Sequence, residues 1–313
     1  MLAAITGGTG FIGMKLASAI LAEGNKVRIL TRDEDGQKPR LPGAQYVMGD
    51  LASSSALGDF VEGADVLFHC AGEITRPSLM EAVHVDGTAR LIDAAAGKVR
   101  RWVQLSSTGA YGTRRAGVVT DDDDVRPNGA YEITKVASDH LVATAGDQGA
   151  FSYSIVRPTI VFGAGMPNQS MFAMLRMIDK GIFFFIGRPG ASANYVHVDN
   201  VVHALSLCGQ AEASGKTYIV SEYCTMEAMV MWMATVLGTR PPRLRLPEAP
   251  VRLAAEMLQV IPHWPLKVSR VDALTSFARY STARIEQELG YKTVTTTERG
   301  VADLVRYYRA NNT

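Results

Sequence analysis

The stretch Thr6-Gly7-Gly8-Thr9-Gly10-Phe11-Ile12-Gly13 constrains this chain more than any other. A short apolar strand, residues 2–6, leads into it. A helix follows, with Ile12, Leu16, Ala19 and Ile20 on one face and Gly24-Asn25 to stop it. Val27-Arg28-Ile29-Leu30 reads as a second strand. Strand, glycine turn, helix and strand within about 30 residues is the setting in which such glycines mean dinucleotide binding. The helix N-terminus offers unpaired N–H groups and a positive dipole end to a pyrophosphate, and glycine lets the backbone come close. Outside that setting the same glycines would be a plain tight turn.

The end of the second strand bears on the choice of dinucleotide. An acid there bonds a ribose 2′-OH, whereas an arginine accommodates a 2′-phosphate. Thr31-Arg32-Asp33 stands at that point, and Arg32 is the first charge after the strand. That placement favours NADP over NAD; Asp33 keeps NAD open, and a solvent-exposed Arg32 without a ligand is the plainer alternative.

The alternation of strand and helix continues. Tyr46-Val47-Met48 leads to Gly49-Asp50-Leu51; residues 54–61 read as helix; 64–72 as a buried strand ending in small residues; 79–97 as helix. Residues 101–105 form a strand ending in Ser106-Ser107, and Ser154-Ile155-Val156-Arg157 forms another. Regular βα alternation implies an α/β fold with a doubly wound parallel sheet, whose ligands sit at the carboxyl ends of the strands. Gly7, Arg32, Asp50, Ala71, Ser107 and Pro158 all fall at such ends. Past residue 163 the pattern shifts to short Pro-, Gly- and aromatic-rich segments. The expected division is a dinucleotide-binding domain over 1–163, with a return segment at about 194–212, and a smaller C-terminal α/β substrate domain over 164–193 and about 213–313. In the latter, 226–237, 250–260, 283–290 and 298–310 read as helices. The aromatics Phe183 to Phe185 either line a substrate pocket or pack a small core.

Between two of the strands lies Tyr131-Glu132-Ile133-Thr134-Lys135. Helical spacing of i and i+4 puts the phenol and the ammonium on one face. A phenol titrates near pH 10 when unperturbed. A neighbouring cation favours the phenolate and would lower that value, so the pair is suited to moving a proton on and off an alcohol oxygen. Alone this pattern is weak, because it recurs on ordinary helix surfaces.

The totals set limits. With 313 residues, 47% of them hydrophobic and 20% charged, a full-sized core is expected. A net charge of +1 gives no electrostatic case for nucleic acid or an acidic membrane. The run Asp121 to Asp124 reads as a solvated loop, since four adjacent carboxylates repel and cannot all face one ion. Cys70, Cys208 and Cys224 are far apart, so no metal site or disulfide framework is expected. No apolar run approaches the roughly 20 residues of a membrane span, and the strand-like start leaves no room for a signal peptide. A cytoplasmic protein acting on a small molecule is the expectation.

These residues together have a family look. Thr6 to Gly13, Gly49-Asp50-Leu51, His69-Cys70-Ala71-Gly72, Ser106 to Gly112, Tyr131 with Lys135, Arg157-Pro158, Val161-Phe162-Gly163 and Val196-His197-Val198-Asp199 occur in this order. The set resembles the extended short-chain dehydrogenase/reductases, the NAD(P)-dependent epimerase/dehydratase family with its Rossmann domain. The likeness runs to Glu288-Leu289-Gly290-Tyr291 and covers nearly the whole chain. It implies that Gly7, Gly10 and Gly13 lie under the pyrophosphate, Asp50 and Leu51 beside the adenine, and Ala71 and Gly72 along the cofactor. Thr9, Phe11, Ile12, Arg32, Pro158 and Val161, with Tyr131 and Lys135, complete the expected cofactor-binding set. It implies a catalytic serine at Ser107, a catalytic base at Tyr131, and at Lys135 a residue that binds the nicotinamide ribose and lowers the tyrosine pKa. His197 and Asp199 match a mainly structural motif. A homodimer is implied as well, through helix 79–97 and the Tyr131 helix, whose apolar Leu91, Ile92, Val136, Leu141 and Val142 face either a partner or the sheet.

Departures from the pattern narrow the chemistry. Thr108 and Gly109 stand where the sugar dehydratases carry an Asp-Glu pair, which disfavours elimination of water. Ala193-Asn194-Tyr195 lacks the arginine that holds a diphosphate in many nucleotide-sugar members; Arg279 and Arg270 stand off the second usual place, and Arg188 is a possible substitute. His84 occupies an asparagine position, where it bonds backbone or, more simply, is a packed or exposed helix histidine. Three functions follow. A nucleotide-sugar epimerase or 4-keto reductase stands slightly ahead by frequency in the family. An NADP-dependent reductase or dehydrogenase of a less charged ketone or alcohol, of the dihydroflavonol-reductase or 3β-hydroxysteroid-dehydrogenase kind, is the alternative. A silent dinucleotide sensor comes third, because Ser107, Tyr131 and Lys135 are all present.

Overall fold

Seven parallel strands form the centre of the computed structural model, which describes the chain except for residues 34, 54–55, 213, 259–267 and 313. From edge to edge they are Lys216–Val220, Ser152–Pro158, Arg101–Leu105, Val66–His69, Leu2–Thr6, Lys26–Thr31 and Ala44–Met48. Every neighbouring pair is parallel. The strand order reverses between Leu2–Thr6 and Val66–His69, the switch point where such sheets open a crevice at their carboxyl ends. Gly7 and Ala71 stand at the ends of these two strands.

Side chains alternate across the sheet, as a period of two requires. Ala3, Ile5, Val27, Ile29, Val66 and Phe68 face the helices Phe11–Ala22 and Val198–Gln210. Ala4, Leu67, Trp102 and Ile155 face Leu57–Val61, Gly87–Ala95 and Ala130–Asp147. Trp102 is fully buried and stacks on Phe151 at 5.0 Å between ring centres. Leu91 and Val142 belong to the core on this face of the sheet, and Ile92 packs against it. They face the sheet; Val136 is buried and Leu141 half-buried, while Leu79 of the stretch 79–97 and Ile133 of Ala130–Asp147 are exposed.

The helix read over 79–97 is three pieces: Pro77–Glu81, a π-helical turn Ala82–Asp86, and Gly87–Ala95. Residues 56–61 narrow to a short helix Leu57–Val61, and residues 54–55 lie outside the described chain. The seventh strand, Lys216–Val220, falls just beyond the 194–212 segment expected to return to the sheet.

A second core gathers the helices Ser170–Asp179, Met226–Leu237 and Thr297–Asn312 around Phe162, Phe183, Phe185 and Tyr195. Phe183 and Phe185 are buried there, so packing is their main role. A three-stranded sheet of Glu222–Thr225, Ser192–His197 and Ile160–Phe162 carries the chain from one core to the other. The helix read over 250–260 is Glu248–Leu258, with 259–260 outside the described residues. Val268–Thr275 forms a further helix, and two arginines and two carboxylates close an ion-pair ring beside it. Arg115 pairs with Glu248 at 2.6 Å and Asp272 at 2.8 Å; Arg252 pairs with the same two at 2.9 and 2.7 Å.

The acidic run is less solvated than expected. Asp121 accepts the Ile219 N–H at 2.5 Å and is nearly buried, with Arg284 beside it. Burial pushes its carboxyl up. Asp122 pairs with Arg284, Asp123 accepts the Thr120 N–H, and Asp124 is exposed against Arg126. The three cysteines are free thiols, each pushed up to about 12 by burial. Among the described residues no group of His, Cys, Asp and Glu is placed to hold a metal, and no helix is long and apolar enough to cross a membrane.

Candidate active site

The glycine turn is built around two contacts that no larger residue allows. Gly7 has φ +67°, and a Cβ there would lie 2.7 Å from the Cys70 carbonyl carbon and oxygen at the neighbouring strand end. A Cβ on Gly13 would lie 2.3 Å from the Gly7 oxygen. The helix Phe11–Ala22 therefore starts tight against the crevice, with no side chain capping its first N–H groups. This cradle fits a pyrophosphate and would lose that fit with any Cβ.

Gly7, Arg32, Asp50, Leu51, Ala71 and Gly72 line one cleft at the carboxyl ends of the strands. Arg32 is exposed and lies 3.7 Å from Asp50. The Asp33 carboxylate turns away and accepts the N–H groups of Gln37 and Lys38. Glu73 and Arg76 also line the cleft, although sequence reasoning passed them over. Their signal was position alone, in the loop after Gly72. Hydrogen bonds from Thr75 and Arg76 hold the Glu73 carboxyl down at about 2. Other expected cofactor residues have packing duties. Phe11 packs on the second core; Ile12 and Val161 pack on the first. The Pro158 carbonyl accepts the Thr108 hydroxyl, and Thr9 is half-buried in the turn.

Beneath the cleft a polar chain crosses the core. Thr6 Oγ1 lies 2.6 Å from His69 Nδ1, His69 Nε2 lies 3.0 Å from Thr88 Oγ1, and Thr88 Oγ1 lies 2.9 Å from Ser138 Oγ. Gln104 donates to Ser138, and the Trp102 indole N–H donates to Gln104. Thr88 donates to the His84 carbonyl, and Thr6 accepts the Ala71 N–H. One assignment satisfies all of these bonds: a neutral His69 protonated on Nε2. Burial first, then Lys135 and His84, press its pKa far down.

His84 is neither exposed nor idle. It is buried in the π-helical turn, where its Nε2 accepts the Glu73 N–H at 2.9 Å and its Nδ1 lies 2.8 Å from Thr134 Oγ1. Its ring also meets the Tyr131 ring edge-on at 5.6 Å. It thus ties the cleft loop to the tyrosine helix. Burial, with Lys135 nearby, lowers it to about 4, so it is neutral at pH 7.

Tyr131 and Lys135 open the helix Ala130–Asp147. The Lys135 ammonium is buried and donates to the Leu105 carbonyl at 2.6 Å. Burial lowers its pKa, while Asp139 and Cys70 oppose that. The Tyr131 phenol departs from expectation: it is pushed up to about 12, by burial and then by Glu132 and Asp139. With its ammonium held at the Leu105 carbonyl, the lysine does not lower the phenol in this structure. Asp139 is itself anchored by the Ser106 hydroxyl at 2.7 Å and by Arg157 at 3.1 Å. Ser107 caps the short turn Thr108–Tyr111 by accepting the Gly109 N–H at 3.1 Å. The tyrosine helix abuts that turn, since a Cβ on Gly109 would lie 2.8 Å from Glu132 Cγ.

The neighbours of Ser107 and Tyr131, Thr108 and Glu132, line a pocket of about 400 Å³. One wall is apolar, with Ile160, Tyr195, Met226, Ala273 and Leu274, and the facing side is polar, with Thr113, Ser192, Asp272 and Ser276 beside Thr108 and Glu132. The three arginines weighed from the sequence stand elsewhere. Arg188 stacks on Phe277 at 4.9 Å, Arg279 on Tyr223 at 3.9 Å, and Arg270 is exposed. Asn194 lines the pocket and donates to the Ala278 carbonyl. The arginine that does line it is Arg114, which reaches toward the Asp124 carbonyl at 3.4 Å. Nothing in its sequence spacing marked it.

Comparison with known proteins gives the same frame. Residues 3–221 match the model of the NAD dependent epimerase/dehydratase family. "Sterol demethylase protein B" of Methylococcus capsulatus is 29% identical, with 97% of each chain covered. A "3 beta-hydroxysteroid dehydrogenase/Delta 5-->4-isomerase" of Mycobacterium tuberculosis is 27% identical over 97% of this chain and 89% of that one. The solved UDP-glucuronic acid 4-epimerase from Bacillus cereus, in complex with NAD, shares the fold with a TM-score of 0.76 at 15% identity, over 99% of each chain. The glycine cradle at the sheet's switch point and the match over residues 3–221 together place this chain in the NAD dependent epimerase/dehydratase family, as an NAD(P)-dependent enzyme of the extended short-chain type.

Proposed function

We propose that the protein oxidises a secondary alcohol or reduces the matching ketone on a largely apolar ring compound of the 3β-hydroxysteroid kind. The observation that carries this reading is the pocket wall of Ile160, Tyr195, Met226, Ala273 and Leu274, with Arg188, Arg270 and Arg279 all placed elsewhere. The relatives named for a sterol and for a 3β-hydroxysteroid support it. This reverses the order expected from the sequence, where a nucleotide sugar stood first. Arg114 favours that second reading, because a guanidinium in the pocket suits a diphosphate.

In this reading Ser107 donates a hydrogen bond to the substrate oxygen and orients it. Tyr131 delivers a proton to that oxygen during reduction and removes it during oxidation. Lys135 would hold the nicotinamide ribose and would bring its charge to the phenol's side only on leaving the Leu105 carbonyl. A bound nicotinamide supplies or accepts the hydride. Residues 1–163 with the return segment hold the cofactor. Residues 164–193 and those after about 213 shape the substrate side, apart from the strand Lys216–Val220, which edges the main sheet. NADP preference rests on Arg32 in the cleft and on the Asp33 carboxylate turned to its own loop.

Two variants test this. Tyr131→Phe should abolish turnover of a 3β-hydroxysteroid, a loss of at least about 10²-fold for a removed general acid, while cofactor affinity measured by calorimetry stays nearly intact. Retained turnover would remove Tyr131 from the mechanism. Arg32→Ala should weaken NADP far more than NAD, and equal losses would sink the 2′-phosphate reading. Turnover of UDP-sugars in place of steroids would decide for the second substrate class.

A further inference from the structure

The segment Gly181–Phe183 and the loop 240–244 enclose a surface groove of about 740 Å³. Two aliphatic side chains stand out of it, Ile182 and Leu244, each 59% exposed. Arg240 and Arg243 flank them and are exposed, and Lys180 adjoins Ile182. The acids Glu227 and Glu248 do not offset these cations, because Arg245, Arg115 and Arg252 already hold them. Asp179 is the neighbour of Lys180 in the chain. Pro241 and Pro242 keep the intervening backbone out of regular structure, so the arginines and Leu244 project from a stiff loop.

Behind the groove the protein is closed. Phe183 packs between it and a filled recess of Phe185, Ala191, Met226 and Leu274 that the Glu227–Arg245 ion pair also lines. Met226 and Leu274 in turn line the candidate substrate pocket.

We infer that this face docks on an anionic lipid bilayer. Two aliphatic side chains inserted shallowly, beside arginines at headgroup depth, are the elements of interfacial attachment. A protein partner would call for a broad apolar centre, whereas here the apolar surface is two side chains set among cations that no described residue pairs. The attachment stands independently of the proposed substrate class.

The test mixes the full chain with vesicles of phosphatidylcholine alone or with phosphatidylserine added, and sediments them. The chain should sediment with the anionic vesicles, weakly with the neutral ones, and be released by added salt. Arg240→Glu with Arg243→Glu should weaken binding at least about tenfold, from roughly 1 kcal/mol per basic residue. Ile182→Ser with Leu244→Ser should weaken it independently of salt. Both double variants should turn over a water-soluble cyclic ketone at the unaltered rate without vesicles, which shows that they fold. No sedimentation of the unaltered chain, or binding untouched in both doubles, would overturn the inference. So would a dimer in solution broken by Leu244→Ser, which would give the face to a second copy. Steroid turnover without vesicle binding defeats the docking alone; vesicle binding with UDP-sugar turnover defeats the substrate class alone.

Discussion

Tyr131 and Lys135 sit one helical turn apart, yet the lysine spends its charge on the Leu105 carbonyl. The phenol, pushed up to about 12, keeps its proton at neutral pH and is ready as an acid rather than a base. Ketone reduction needs the protonated phenol, and alcohol oxidation needs the phenolate. The kcat/KM of reduction should therefore be flat through neutral pH, while that of oxidation climbs about tenfold per unit toward alkaline pH, until the phenol is ionised. A pH profile of both directions checks this. Oxidation already at its plateau near pH 7 would show that the ribose draws the ammonium away from Leu105 and onto the phenol's side. Spacing along the chain shows that the two groups share a face. It does not show which partner the ammonium takes, because Leu105 comes from a strand 30 residues earlier.

At the scale of elements, local periodicity exposes some features and hides others. The parallel sheet is legible because each buried strand is an apolar run ending at a small or polar residue. The helix Ser170–Asp179 carries a helical period too, with Met171, Phe172, Met174, Leu175 and Ile178 on one buried face, but the Pro-, Gly- and aromatic-rich segments around it mask the period. The π-helical turn Ala82–Asp86 is invisible to a 3.6-residue period, yet it is what aims His84 at Glu73. The acidic run shows the same limit: four aspartates look alike in sequence, but only the strand Lys216–Val220 gives Asp121 an amide to accept. Asp121→Ala should cost about 1–3 kcal/mol, since it strands the buried Ile219 N–H. Asp124→Ala, on an exposed carboxylate, should stay within about 0.5 kcal/mol. Urea unfolding of the two variants measures the contrast, and equal losses would mean that Asp121 is as solvated as its neighbours.

Across the whole molecule, a net charge of +1 averages away the arginines of the 240–244 loop, which no described residue pairs and which become apparent once their neighbours' carboxylates are seen to be taken. Acid response is likewise a property of the fold. His84 titrates at about 4 in the folded chain against an ordinary 6.5, and His69 is also held far below that value. Between pH 6.5 and 4 the unfolded chain takes up protons that the folded one refuses. Stability present above pH 6.5 is therefore lost as the pH falls through that window. Thermal unfolding should show a falling Tm from pH 7 to pH 5, with the fall reduced in His84→Asn; an unchanged slope would place the loss elsewhere. The polar chain beneath the cleft supplies a gauge for the same event. Trp102 lies edge-on to the neutral His69 ring at 5.6 Å and feeds its indole proton into that chain. A neutral imidazole leaves indole emission bright, whereas an imidazolium quenches it. The protein thus carries its own lamp in the wall behind the glycine cradle, lit while the core stays shut and dimmed by the first proton to reach it.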